Sequence, residues 1–413
     1  MVISYRIQLI FIILYFILII LTERYYNEKL FNKSLILIPH FQESSKNFDV
    51  FWKYMTLLGT KPVIGFFYIL LFLFIPLNKV FALTFLLLFT GYIDHTLKVV
   101  YLQERPLWIE DKIETGNLHA CGYGNPSGHS LSSTCLYLSL WNFISQIIET
   151  KVENKCIANT LKYTILILCI LIFITIMISR LFLGVHSLNQ IIFGSFLGLG
   201  IFLLFLPILK IYKDSGKEFF KKYYLNRYNY LLFILFLIAF FYSFYFYRND
   251  ITGIKEKQNW KKMCFDQKWN KLLIKGSFMG GMSIFIILGM LIGILINKNK
   301  IDKDFNSKED IIINWEKGKL SSRIIRLLFL FIGFSPIGII FLINYLFTIS
   351  YIFYYIITPI FFFLGGFLCF GPCLFYGFKL ILNKFGNEEL YSFNRGSTKS
   401  FNQLVDCSNE IFN

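Results

Sequence analysis

Residues 179–190 read SRLFLGVHSLNQ and lie between two long apolar runs, 160–178 and 188–209. Each run is long enough to cross a hydrocarbon core, which takes about 20 predominantly apolar residues as a helix. Arg180 and His186 therefore stand at the mouth of a membrane helix pair, where an unpaired charge is costly and calls for polar partners. Similar runs occur at 7–22, 62–77, 80–100, 130–148, 229–247, 276–296, 326–346 and 349–370. The expected fold is all-α, a polytopic membrane helix bundle of about ten transmembrane helices. Composition agrees: 56% of the 413 residues are hydrophobic, with 49 Phe and a mean hydropathy of +0.58. A soluble domain carries roughly 45–50%.

The net charge of +16 does not indicate a nucleic-acid partner, because Lys and Arg lie between the apolar runs and form no single basic face. They read as topology determinants. With alternating spans, Arg6, Lys79, the KVENK loop at 151–155 and the basic segment 210–227 share one side, which the positive-inside rule assigns to the cytosol. Residues 179–190 then face a lumen or the exterior, in the endoplasmic reticulum, another endomembrane or the cell surface. The basic loop 248–275 falls on that same side, against the rule. The run at 7–22 is followed by TERYYNEKL and reads as an anchor, and the broken segment 31–60 reads as interfacial. Two parts are expected: a six-helix core at 1–210, and a C-terminal region of about four helices with a polar tail at 211–413.

Eight Cys form no C-x-x-C pair, and no metal or other cofactor is expected. Cys121 and Cys264 lie in loops on the same expected face, compatible with a disulfide. Asn32-Lys33-Ser34 is an acceptor sequon there too. No sequence feature specifies an oligomeric state.

Three polar stretches fall at the non-cytosolic ends of consecutive spans. In LKVVYLQERPLW, Lys98 and Arg105 are seven residues apart, so both cations project from one face of a helix end that Pro106 then stops. A snorkelling pair is the plain alternative. Asp94 and His95 precede them as polar intramembrane residues of open role. In GYGNPSGHS, Ser127 and Gly128 precede an apolar helix whose first amides suit an anion, although Ser127 also fits an ordinary N-cap. His129 lies just inside that helix. In SRLFLGVHSLNQ, Arg180 ends one span, Gly184 lets the chain turn, and Ser187 to Gln190 has the S-x-x-Q pattern of a capping box. Three cations and two imidazoles converging on one face suit a phosphate dianion, a nucleophile and a proton donor.

The order Lys98-x6-Arg105-Pro106, Pro126-Ser127-Gly128-His129, Ser179-Arg180-x5-His186 resembles the three-part signature of the type 2 phosphatidic acid phosphatases, which are related to vanadium haloperoxidases and glucose-6-phosphatases. The resemblance spans about residues 60 to 210. It implies a metal-independent phosphohistidine mechanism: His186 as nucleophile, His129 as acid and base, and Lys98, Arg105, Ser127, Gly128 and Arg180 as phosphate binders. One position departs from the commonest pattern. The lipid phosphatases of the family usually have Asp four residues after the nucleophile, where this chain has Gln190; glucose-6-phosphatases are similar to it in this respect and in the RPLW that includes Arg105. A neutral Gln orients an imidazole without stabilising its cation. The resemblance implies a bilayer partner and a phosphorylated lipid or sugar substrate, with lipid phosphate preferred. A non-catalytic lipid- or phosphate-binding membrane protein is the alternative of another class. The loop 109–124 is expected to cover the site and offers Glu110, Asp111, Glu114, Asn117 and His119 as polar contacts.

Overall fold

A computed structural model describes residues 5–74, 77–114, 120–209, 281–296, 320–346 and 351–369, with a few positions between 234 and 241. Every described element is a helix. In chain order they are α1 (Tyr5–Ser44), α2 (Asp49–Leu57), α3 (Lys61–Phe74), α4 (Leu77–Tyr101), α5 (Pro106–Ile109), α6 (Gly128–Lys151), α7 (Lys155–Phe182), α8 (Leu188–Leu209), α9 (Ser283–Ile296), α10 (Leu320–Leu346) and α11 (Tyr351–Leu368). Four described stretches are long and apolar enough to cross a membrane: Ile10–Ser44, Ala82–Ile109, Lys155–Phe182 and Leu188–Leu206. Shorter apolar stretches lie at Ser283–Gly293, Phe331–Ile340 and Ile356–Leu368. The all-α membrane bundle is thus observed; the span expected at 229–247 lies largely outside the described residues.

α6 runs through the centre of the bundle, and its composition follows from that position. Ser130, Ser133, Thr134, Ser139, Asn142 and Ser145 are all buried along it. Where a helix is packed between other helices, small polar side chains let neighbouring backbones approach. α8 makes that approach: a Cβ on Gly194 would lie 2.6 Å from the Ser127 carbonyl oxygen, and one on Gly198 2.6 Å from that of Leu131. The two glycines bring the start of α6 against the start of α8.

α1 corrects the expectation of a short span followed by an interfacial segment. It is one helix of 40 residues that passes through Pro39, about 60 Å at 1.5 Å per residue and twice a hydrocarbon core of about 30 Å. Its first half lies along α8, with the Tyr15 hydroxyl donating to the Phe196 carbonyl at 2.9 Å. Its second half overhangs the N-terminus of α8. Glu23, Ser34, Ile38 and Gln42 are buried on its inner side, while Arg24, Tyr25, Glu28 and Lys29 are exposed. The positions 23, 27, 34, 38 and 42 are spaced by fours and a seven, which places them on one helix face. Charged residues that look like a break in a span are thus the solvated outer face of a continuing helix. The Asn32 sequon lies inside this helix, and Ser34 is buried with its Oγ accepting from the Leu188 amide at 2.9 Å.

The C-terminal helices pack on the same bundle. Residues of α4, α6, α8, α9, α10 and α11 share one hydrophobic cluster, including Leu86, Leu131, Phe193, Met290, Ile340 and Phe362. α9 and α11 cross closely, since a Cβ on Gly366 would lie 2.2 Å from the Ile286 carbonyl oxygen.

Candidate active site

Four helix ends meet at one face: the C-termini of α4 and α7 and the N-termini of α6 and α8. This is the convergence expected from alternating spans. On α4, the Lys98 ammonium lies 2.9 Å from Asp94 Oδ2 and 2.8 Å from Oδ1, one turn earlier. A Cβ on Gly128 would be 2.7 Å from the same carboxylate, so the Asp94–Lys98 pair sits against the first residue of α6.

Arg105 reaches the site differently from the expectation of a shared helix face. α4 ends at Tyr101, Leu102 takes a positive φ of 49°, and Arg105 is extended ahead of α5, with Pro106 as the first helical residue. Pro106 therefore starts a helix here, because its missing N–H costs nothing in a first turn. The Arg105 guanidinium is buried and locked by backbone carbonyls: Nε donates to Gly122 at 2.5 Å, Nη1 to Val185 at 2.7 Å and Nη2 to Tyr123 at 3.2 Å. The loop 109–124 supplies two of those carbonyls and thus covers the site through backbone. Glu114 meets Gln42 through main-chain atoms; Glu110 is half-buried and accepts from the Lys112 amide at 3.2 Å, Asp111 is exposed, and Asn117 and His119 lie outside the described residues. Cys121 is disulfide-bonded, and the Cys264 named as its expected partner also lies outside them.

At the start of α6, Ser127 is buried and acts as an N-cap, its Oγ accepting from the Ser130 amide at 3.4 Å and the Ser130 hydroxyl at 3.0 Å. Gly128 and His129 are half-buried at the open side. In the last turn of α7, Arg180 is buried, with Nη1 donating to Thr56 Oγ1 of α2 at 2.8 Å while its Nε has no hydrogen-bond partner. Gly184 turns the chain at φ 64°, a region that favours glycine, and His186 follows.

The His186 imidazole is buried and held by a specific set of atoms. Nδ1 lies 3.0 Å from the Gly124 carbonyl oxygen and 3.2 Å from Gln190 Oε1, and Nε2 lies 3.2 Å from Arg105 Nη1. A carbonyl only accepts and a guanidinium only donates, so Nδ1 carries the proton and Nε2 presents its lone pair. Burial, and then the positive charges of Arg105, Arg180 and Lys98 together with His129, push the His186 pKa well below the usual histidine value. Those four side chains all act on one imidazole. The two histidines and three cations singled out in the sequence are therefore neighbours in space.

Gln190 does two things at once. Its Oε1 accepts from the Ser187 amide at 3.3 Å, the returning arm of a capping box, and also faces His186 Nδ1. Its Nε2 donates to the Glu104 carbonyl at 2.7 Å and to Gln103 Oε1 at 3.3 Å. The Glu104 carbonyl and Ser187 amide fix which end of the amide points where. Behind Gln190 a buried amide network continues: Asn189 Nδ2 donates to Gln103 Oε1 at 2.9 Å and to Asn27 Oδ1 at 3.0 Å, and Gln103 Nε2 donates to Asn27. Asn125 Nδ2 donates to Glu23 at 2.8 Å. The sequence reading did not single out Thr56, Gln103, Asn27 or Glu23 and assigned no role to Asp94. The stripe 23, 27, 34, 38, 42 was the one available signal for the α1 residues.

Thr56 gives an isosteric test of the Arg180 anchor. Thr56→Val leaves a buried guanidinium without its acceptor, a loss of about 1–3 kcal/mol. The expected outcome is a rise in KM of roughly five- to a hundredfold with Thr56→Ser near wild type, read from steady-state kinetics.

Residues 79–213, which hold every site residue named from the sequence, match the family model of the PAP2 superfamily. That segment, about a third of the chain, is similar to the superfamily. A crystal structure described as the first transmembrane PAP2 type phosphatidylglycerolphosphate phosphatase from Bacillus subtilis is similar at 19% identity, over 49% of this chain and 98% of that one, with a TM-score of 0.37. No curated protein matches the chain.

Proposed function

We propose that the protein hydrolyses a phosphomonoester by a metal-independent phosphohistidine mechanism, with a lipid phosphate such as phosphatidic acid as substrate. The observation that carries this reading is the His186 imidazole, with its Nδ1 proton held by Gly124 and Gln190 and its Nε2 lone pair beside Arg105. Nε2 attacks phosphorus while the bond to the leaving oxygen breaks, and His129 gives that oxygen its proton. Water then attacks the phosphohistidine, passes a proton to His129, and releases inorganic phosphate. Lys98, Arg105 and Arg180, with Ser127 and the Gly128 amide, neutralise the charge that spreads over the phosphoryl oxygens in the transition state. The site faces a lumen or the exterior in this reading. Gln190 favours a sugar phosphate as the second reading.

The experiment is phosphate release by detergent-purified protein in the presence of a chelator, from phosphatidic acid in mixed micelles and from glucose 6-phosphate. Release from the lipid supports the first reading, and release from the sugar ester alone moves the assignment to the second. Silence on both, or stimulation by vanadate instead of inhibition, sinks the mechanism.

The depressed His186 pKa has a stated sign. A nucleophile must be neutral, and a group whose pKa lies below the usual histidine value stays neutral as the pH falls through about 6.5. We expect kcat to show no loss between pH 7 and 6 from His186 protonation. A histidine-like acidic limb in kcat that persists in a His129 variant would contradict this expectation.

A further inference from the structure

α2 lies beside the site, is too short to span and presents an apolar outer face. Its 9 residues extend about 13 Å. The inner side is tied down: Trp52 packs on Phe41 at 5.8 Å and Phe182 at 5.9 Å, and Thr56 accepts from Arg180. At 100° per residue the opposite face is Val50, Tyr54 and Leu57, exposed by 64, 64 and 46%. Phe48 and Phe51 border it on one side, and Lys46 and Lys53 are exposed at its edge.

What covers that face follows from its neighbours. α2 packs against the C-terminal part of α7, whose outward Leu171, Ile174 and Ile178 are exposed, apolar and part of a membrane-crossing stretch. Ile178 precedes Arg180 by two residues, so α2 continues the lipid-facing surface at the level where α7 ends. The overhang of α1 has the opposite pattern, charged outward around a fully solvated Tyr25. Just past α2, a Cβ on Gly59 would lie 3.1 Å from His129 Cδ2, which makes the end of α2 the wall between bilayer and proton donor.

We propose that α2 seats its Val50–Tyr54–Leu57 face in the bilayer interface and is the edge over which a phosphorylated lipid passes from the membrane to the site. Lys46 suits the anionic headgroups of that surface, Lys53 being paired with Asp49, and the apolar residues suit acyl chains. Only the delivery step rests on the phosphatase reading; the seating of the helix does not.

The test uses full-length protein in phosphatidylcholine vesicles, labelled with bimane at Tyr54→Cys or, as control, at Tyr25→Cys, with the labelling of the unsubstituted protein subtracted. Doxyl-lipid quenching at position 54 is expected to exceed that at 25 by at least about threefold, as an interfacial helix requires. Equal quenching overturns the seating, and Val50→Cys gives a second reading if Tyr54→Cys misfolds. Tyr54→Asp should then lower the ratio of activity on vesicle phosphatidic acid to activity on p-nitrophenyl phosphate about tenfold, because a charge on that face opposes insertion. An unchanged ratio overturns delivery even if the helix is seated.

Discussion

His186→Ala is expected to lower phosphate release by roughly four to six orders of magnitude, the scale seen when a nucleophile is removed from a covalent mechanism. The cradle should survive the change. Arg105 keeps its bonds to Gly122, Val185 and Tyr123, Arg180 keeps Thr56, and Lys98 keeps Asp94. Vanadate or inorganic phosphate should therefore still bind the variant within about tenfold of wild type, since ground-state contacts to the anion are retained. A rapid quench in alkaline detergent with a labelled substrate supplies the second readout: a base-stable, acid-labile phosphoprotein in wild type and none in the variant. Retention of more than about 1% of kcat would transfer the nucleophile role to another group.

How much of this was legible in the chain depends on whether the determining interaction is local. The apolar runs report spans because lipid imposes one requirement on every exposed position, so the helices α3, α4, α6, α7 and α8 fall close to their expected bounds. The S-x-x-Q pattern at Ser187 reported a real capping arm, because the bond it encodes joins residues three apart. Reading stopped where a long-range contact decided the outcome. The charged stretch after residue 22 looked like the end of a span, and nothing nearby shows that Glu23 and Asn27 turn inward to meet Asn125, Asn189 and Gln103. Arg105 looked like a helical neighbour of Lys98 at two turns. Three carbonyls from two distant segments instead draw it off the helix, and α4 ends four residues earlier.

Gly124→Ala is expected to be nearly as damaging as loss of a catalytic group, although it adds one methyl to a residue with no side chain. The new Cβ would lie 2.4 Å from Gln190 Oε1, 2.5 Å from Nε2 and 2.7 Å from Cδ. Gln190 is fully buried and bonded at both ends of its amide, to Ser187 on one side and to Glu104 and Gln103 on the other, so it has no relaxed position to retreat to. The peptide of Gly124 is itself the main acceptor for His186 Nδ1–H. A clash here therefore moves both groups that hold the His186 imidazole. Misplacing a reacting group by about 1 Å costs roughly a hundredfold, and overpacking a core costs about 1–3 kcal/mol of stability. The expected signature is a fall in kcat of about two orders of magnitude with KM within roughly threefold, because Lys98 and Arg180 approach from other helices. Gln190→Asn combined with Gly124→Ala should be less damaging than the product of the single changes, since the shorter amide vacates the space the methyl needs. Additive losses, or a Gly124→Ala enzyme with normal kcat, would mean that Gln190 does not orient His186 and serves the α8 cap alone.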